Sequence, residues 1–444
     1  MKRVVALHLY FIFSFLVFGD ERRIGWLANR SLSQYQDLGA NNSPYEPSEL
    51  YPDFSTVGAL ISLDGELGTA TLVAPNMVVT AAHVLENFYL DQADPARWKF
   101  YHGADRSLSV SYEIESFKIH PSWKIRQENV KLFSNNQHIG DGDGDLLGVD
   151  IALALLKTSV PNIYPARLPN EDDDPIGQRA VLAGFGNLVN GQTGETNHAN
   201  SLRIGGENIF DRSVEKVSVP FNWDPDGDGS FETPLDAHLG GILGIDFDGP
   251  TQLSNSLGQG ESVELLGDGS SLSSPLLLEA STARGDSGGP AFSFTQNHWR
   301  IHGVVSYGTT NSTYGDVTIY TRLASHYTWL QDQLPNWADS KIVGSTDWRE
   351  NPWLGMFAPV DQMWNFHINL GWLYIPSPKG NSFWAWAYLL GKWIWLSDQA
   401  YPYIYCYSPP ASHWKYINLD VSNGFYLRAF SYSSGQWNSY LGSK

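Results

Sequence analysis

The stretch "ARGDSGGPAF", Ala283–Phe292, sets one serine among three glycines, an aspartate and a proline. Glycine opens backbone conformations closed to other residues and lets a ligand come close to the main chain. A serine on such a turn carries an exposed hydroxyl, with backbone N–H groups pointing the same way. The plain reading is a surface turn, because Asp, Ser, Gly and Pro are the common turn residues. The sharper reading is a nucleophile, Ser287, with oxyanion-binding amides beside it. The turn alone does not choose between them. A base and an orienting acid must come from elsewhere in the chain.

A serine hydroxyl is a poor nucleophile at neutral pH and needs a base, usually a neutral imidazole. The imidazole needs a carboxylate to fix its tautomer and stabilise its cation. Twelve histidines are present, so a histidine alone carries little. His83 has an unusual setting in "VVTAAHVL", after a β run and two alanines that let a neighbouring element pack close. In "GVDIALALL", Asp150 directly precedes an apolar strand, Ile151–Leu156, where a buried carboxylate requires a partner. Taken singly, His83 reads equally as a packed core histidine and Asp150 as a strand cap.

The surrounding chain is β-rich. "VGALISL", "GTATLVAP", "MVVTAA", "LSVSYEI", "IALALL", "RAVLAGFG", "HGVVSYG" and "VTIYTRL" are short apolar or alternating runs parted by Gly, Pro, Asn and Asp turns. Helical patterns are scarce. Ala324–Leu334 is the best candidate, and Pro335 and Asn336 stop it. Many short strands and one late helix predict an all-β sandwich or barrel.

Together, "TAAH", "DIAL" and "GDSGGP", in that order, resemble the trypsin/chymotrypsin-like serine endopeptidases. "HPSW" from His120, "VLAGFG" from Val181, "VVSYG" from Val304 and "YTRLASHYTWL" near the end of the region extend the resemblance over about Phe54–Leu334. It implies a double six-stranded β-barrel with a C-terminal helix and an active site between the barrels. It implies Ser287 as nucleophile, His83 as general base and Asp150 as orienting acid. The N–H groups of Gly285 and Ser287 would form the oxyanion hole. Ser306, Tyr307 and Gly308 would pair with the substrate backbone. The pocket floor would fall at Ser281, narrowed by Thr318, and a neutral serine there argues against Lys or Arg side chains and for apolar ones. Activity would fall in acid, where a protonated imidazole cannot act as base.

The chain also departs from the family. Val84 stands where a cysteine commonly follows the histidine, and none of the usual bridges can exist. Activation by a new N-terminus that pairs with Asp286 has Ile24, after "ERR", as its nearest candidate; an internal partner for Asp286 is the alternative. "GDSGG" also satisfies the G-x-S-x-G pattern of α/β-hydrolases. That fold needs a strand–turn–helix and the order Ser, acid, His, whereas here "PAF" reads as a strand and the order is His, Asp, Ser.

Composition narrows the setting. A net charge of -19 argues against nucleic acid as a partner, because phosphates would be repelled. Residues 1–19 read as a cleaved secretory signal: Lys2 and Arg3, then an apolar run from Val4 to Phe18 that is short for a bilayer span. The expectation is a secreted protein, extracellular or periplasmic, with no transmembrane anchor. Cys406 is the single cysteine, so no internal disulfide can form, and a buried structural thiol is expected.

From about Asp339 tryptophans crowd in and a repeat appears. Trp372, Trp393 and Trp414 recur every 21 residues, as do Tyr374, Trp395 and Tyr416, and Ile375, Leu396 and Ile417. The W-x-W/Y alternation puts both aromatics on one face of a strand. The expected organisation is a signal over 1–19, a protease domain over 20–338 and an aromatic β-repeat domain over 339–444, built of stacked hairpins whose faces bury one another. Its tryptophans serve either as its own core or as a surface for cell-surface or polysaccharide ligands. A protease-like scaffold acting only as a binder is the competing class, and the filled positions 83, 150 and 287 argue against it.

No cofactor is required by this chemistry. Calcium is a candidate structural ion at Asp224, Asp226 and Asp228 in "DPDGDGSFE", which has the D-x-D-x-D-G start of a calcium loop but Leu235 at its twelfth position. A plain acidic turn is the alternative there. "DGDGD" at Asp141–Asp145 and "DFDG" at Asp246 are weaker versions of the same pattern.

Overall fold

The computed structural model describes residues 22–40, 51–85, 94–123, 131–134, 137–141, 148–195, 201–217, 223–224, 240–259, 263, 266–309 and 312–442. The expected signal segment lies outside them.

Strands Val57–Ser62, Leu67–Ala74, Met77–Thr80, Trp98–His102, Val110–Ile119 and Ala152–Leu156 close into a six-stranded barrel. Its interior holds Leu60, Leu72, Val78, Phe100, Ile114, Ala154 and Leu156. Small residues at Ala70, Ala152 and Ala154 leave room there for Phe100 and Trp123. The second unit is a seven-stranded sheet rather than a separate closed barrel. It runs from Ile204–Ile209 through Arg179–Gly184, Pro290–Thr295, His298–Gly308, Val317–Arg322 and Ile242–Asp246 to Arg212–Val214. Its two edge strands are parted in sequence only by Phe210 and Asp211. The sheet therefore curls until its edges meet at that corner, where the Asp211 N–H donates to the Gly244 carbonyl at 3.0 Å. Counted as one bent strand, Ile204–Val214 makes the sixth stave of the expected second barrel.

A short helix, Tyr327–Gln333, closes this region as the sequence predicts. The N-terminal segment contributes elements that the sequence reading passed over. Helix Leu32–Gly39 is capped by a Ser31/Gln34 capping box. It is held by Arg203, whose Nε donates to the Gly39 carbonyl at 2.7 Å and whose Nη1 donates to the Val57 carbonyl at 2.9 Å.

Beyond it, eleven strands from Lys341–Ile342 to Gln436–Leu441 form one antiparallel sheet in simple chain order. Successive strands pair as hairpins, as expected, and the hairpins join edge to edge in this one sheet. The sheet curls on itself, with Asn369 Nδ2 donating to the carbonyls of Leu419 at 3.1 Å and Ser422 at 2.8 Å. The core of this unit is mostly aliphatic, with Leu373, Ile375, Ile394, Leu396, Ile404, Ile417 and Leu427 joined by Trp337, Phe357 and Phe383, and Cys406 is buried among them as expected. Trp372, Trp384, Trp414 and Trp437 lie on the opposite face, about 40 % exposed. The period-2 pleat causes this split, since Trp372 and Tyr374 share one face while Leu373 and Ile375 share the other. The outer rings meet edge to face across strands, as in Trp386–Trp393 at 6.0 Å and Trp395–Trp414 at 6.1 Å. The packing of this sheet begins at Trp337, whose ring lies 4.2 Å from that of Phe357 and whose Nε1 donates to Asn365.

Candidate active site

The buried strand Met77–Thr80 ends at Ala81, and a single helical turn, Ala82–Leu85, turns His83 out of the first barrel. Asp150 stands just before the Ala152–Leu156 strand and is fully buried. The two meet: His83 Nδ1 and Asp150 Oδ2 are 2.7 Å apart, and the His83 backbone N–H donates to Asp150 Oδ1 at 2.9 Å. Burial by itself would raise the Asp150 pKa. The adjacent His83 and hydrogen bonds from His83 and Ser306 outweigh it and hold the carboxyl below the usual carboxylate range.

Ser306, expected only beside the substrate backbone, also touches Asp150. Its hydroxyl donates to Asp150 Oδ2 at 2.6 Å. Thr321, which the sequence reading missed, donates its hydroxyl to the Asp150 carbonyl at 2.9 Å. Both partners lie more than 150 residues away in the chain, and no local pattern announces them. Tyr307 and Gly308 pair on one side with Ile319 and Thr318. On the other side of this strand the Pro290–Thr295 pairing begins at Val304.

Ser287 sits on a turn pressed against the first barrel. The Thr69 N–H donates to the Ser287 carbonyl at 2.8 Å, and the Thr69 hydroxyl donates to the Gly285 carbonyl at 2.9 Å. Gly285 has φ +98° and Gly288 has φ +81°, conformations that favour glycine. A Cβ on Gly288 would fall 2.0 Å from Thr80 Oγ1 and 2.9 Å from the Ala81 nitrogen, so no side chain fits. This close approach brings the nucleophile turn to within three residues of His83. The backbone N–H groups of Gly285 and Ser287 donate to no described protein acceptor. The Ser287 hydroxyl likewise bonds to no described residue in this resting state. Catalytic hydrogen bonds of this kind often tighten only with substrate in place.

Asp286 is buried beneath this turn. Its Oδ1 accepts the Gly186 N–H and its Oδ2 the Ala283 N–H, both at 2.9 Å. Burial pushes its carboxyl up to about 8, against the lowering effect of the Gly186 bond. The carboxyl thus has partners within the intact chain. The segment holding Ile24, Arg22–Trp26, lies as a strand with Ile24 in register with Leu188 and Gly25 opposite Ser281. The residues expected at the pocket floor also come together. Ser281 Oγ and Thr318 Oγ1 are 3.1 Å apart and both buried, with the Thr282 hydroxyl 3.1 Å from the same Thr318 oxygen.

Of the calcium residues, Asp224 ends the Trp223–Asp224 strand paired with Lys131–Ser134, and Asp226 and Asp228 lie outside the described residues. A cavity lined by Tyr164, Arg167, Trp299, Arg300, Tyr327 and Asp339 occupies the seam between the second barrel and the aromatic sheet; His83, Asp150 and Ser287 do not line it.

Two barrels meeting at a histidine–aspartate pair and a glycine-framed serine belong to the serine-type peptidases, hydrolases that act on protein or peptide substrates. The family model described as Trypsin matches residues 54–218 and 273–330, about half of the chain. The chain belongs to the trypsin family. No curated protein matches it. No described helix is long and apolar enough to cross a membrane.

Proposed function

We propose that this chain is a secreted endopeptidase that cleaves peptide bonds through an acyl-enzyme on Ser287. The observation that carries this reading is the His83–Asp150 pair, at 2.7 Å with the acid fully buried. With Nδ1–H held by Asp150, Nε2 keeps its lone pair for the Ser287 proton. The Ser287 oxygen attacks the scissile carbonyl as Nε2 takes its proton, and the resulting imidazolium is stabilised by Asp150. The N–H groups of Gly285 and Ser287 stabilise the oxyanion, each by roughly 3 kcal/mol. The imidazolium then protonates the leaving amine, and a water repeats the sequence to release the acid. Substrate backbone adds as a strand beside Ser306, Tyr307 and Gly308. The paired hydroxyls of Ser281 and Thr318 carry no charge to meet Lys or Arg and favour apolar side chains.

A fluorophosphonate probe, which forms a covalent bond to an activated serine, tests this. The wild-type protein is expected to be labelled and Ser287→Ala to remain unlabelled. Equal labelling of both would move the nucleophile elsewhere.

The outward aromatic face supports a second role as an address for cell-surface material such as polysaccharide, since half-exposed rings can stack on sugars while the aliphatic core stays intact. Trp384→Ala combined with Trp414→Ala is expected to leave hydrolysis of soluble casein unchanged while binding to insoluble polysaccharide in a pull-down is lost. Retained binding would leave the rings as an outer packing layer only.

A further inference from the structure

The first described strand of the chain, Arg22–Trp26, lies between two others in a four-stranded sheet. On one side it runs parallel to Leu188–Asn190, with Ile24 in register with Leu188 and Trp26 with Asn190. On the other it runs antiparallel to Ala280–Ala283, with Gly25 opposite Ser281 and Trp26 opposite Ala280. The Trp26 side chain packs against the main core, and Leu27 after it is buried. The Leu27 N–H donates to the Tyr35 hydroxyl at 3.2 Å, and that hydroxyl donates to the Glu279 carbonyl at 2.9 Å. The strand is thus anchored at both its neighbours and just ahead of Ser281.

The same strand holds segment 312–316, which leads into Thr318. The Ala28 N–H, just past the strand, donates to the Tyr314 hydroxyl at 2.7 Å. The Gly191 N–H donates to the Trp26 carbonyl at 2.9 Å, and the Tyr314 N–H donates to the Gly191 carbonyl at 2.8 Å. Ser312 Oγ donates to the carbonyl of Thr282, the residue after Ser281, at 2.6 Å. The Asn187 N–H donates to the Arg284 carbonyl at 2.8 Å, at the start of the nucleophile turn. Ser312 has φ +58°, a left-handed conformation uncommon for serine that persists only where the surroundings fix it. A Cβ on Gly25 would fall 2.8 Å from the Ser312 carbonyl oxygen and 3.0 Å from Phe247 Cε1, so the strand and that segment are in direct contact. Three segments around Ser281 and Thr318 are therefore tied to one short strand, in a chain whose single cysteine allows no internal disulfide to tie them.

We propose that Arg22–Trp26, in the uncleaved chain, positions the substrate pocket expected at Ser281 and Thr318, with Gly25 and Tyr314 as its positioning residues. The proposal rests on the peptidase reading of Ser287. Gly25 and Tyr314 act through Ser312, Gly191 and Thr282 rather than on the reacting atoms. Backbone pairing on both edges sets where the strand lies, and the strand sets where those three segments lie. The leverage is large, because a displacement of about 1 Å at a substrate-positioning group can cost about a hundred-fold in rate. No new chain end is needed. Ile24 sits inside the paired strand, and the Asp286 carboxyl already accepts the Gly186 and Ala283 N–H groups. The strand takes the place of the activation expected at Ile24 and works with the residues before it still attached.

The test uses the full chain and three measurements. The first is the rate of labelling by a small fluorophosphonate, which needs Ser287 and His83 but no filled pocket. The second is kcat and KM on a peptide with an apolar side chain before the cleaved bond. The third is the mass of the labelled chain. Gly25→Ala drives a methyl group against the Ser312 carbonyl. It is expected to raise KM and lower kcat/KM by about thirty-fold, with labelling within about threefold of wild type. Tyr314→Phe keeps its ring on Phe247, 5.1 Å away, but loses the bond from Ala28. It is expected to show the same split at about threefold in KM. The labelled wild-type chain is expected to retain Arg22 and Arg23. An unchanged KM in both variants, labelling that falls in step with kcat/KM, or a labelled chain that begins only at Ile24 overturns the proposal. Should Gly25→Ala fail to fold, Tyr314→Phe decides by the same readouts. A wild type that is not labelled at all would instead remove the peptidase reading, and this proposal with it.

Discussion

Peptide hydrolysis by a His83→Ala variant is expected to fall on the order of a million-fold in kcat. The serine hydroxyl is then left with no group to take its proton, and the leaving amine with none to supply one. The fold should survive, because His83 stands at the rim with its side chain 22 % exposed while the core beneath it is formed by Ala81, Ala82 and Leu85. Stopped assays on a peptide substrate, with circular dichroism as the fold control, measure this. A loss of only tenfold with the fold intact would mean that another base serves Ser287. Combining His83→Ala with Ser287→Ala should add little to either alone, because the two residues act as a unit.

Asp150→Asn is expected to lower kcat by about ten thousand-fold. An amide in that place donates a hydrogen where the His83 ring nitrogen needs an acceptor, and the imidazole settles in the wrong tautomer. Ser306→Ala removes one hydrogen bond to the same carboxylate and leaves the His83 contacts, so its loss should be about ten- to a hundred-fold, in keeping with one bond to a charged group. The ordering of the two variants is the critical readout, and a Ser306→Ala loss matching Asp150→Asn would assign the work to the hydroxyl. The acid limb carries a sign as well. Because the Asp150 pKa is depressed in the folded state, its contribution to stability is present above the unfolded value of 3.8 and is lost as pH falls through the lower folded value. Asp150→Asn should flatten the wild-type loss of stability in that acid window, as followed by urea unfolding.

Much of the site is legible in the chain. "TAAH", "DIAL" and "GDSGGP" are local patterns, because each places its residue by constraints within a few neighbours: small residues before His83, a buried strand after Asp150, glycines around Ser287. The alternation in the aromatic repeat likewise sorts tail residues onto two faces, since a pleat with period two acts over adjacent residues. Which face is the core is not legible there. Trp and Leu are both apolar, and only the curl of the eleven-stranded sheet, which joins Asn369 to Leu419 and Ser422, puts the leucines and isoleucines inside and the rings outside.

By itself the sequence determined the β-rich class and the order of the three candidate catalytic residues. Both follow from short-range pattern and residue chemistry. The tertiary structure alone decided that Ser306 and Thr321 buttress Asp150. It also decided that Asp286 finds its partners in Gly186 and Ala283. The physical reason is common to all of these: the partners stand on different strands, and hydrogen bonds, charge and burial depend on distance in space. Chain separation carries no record of that distance until the barrels have closed.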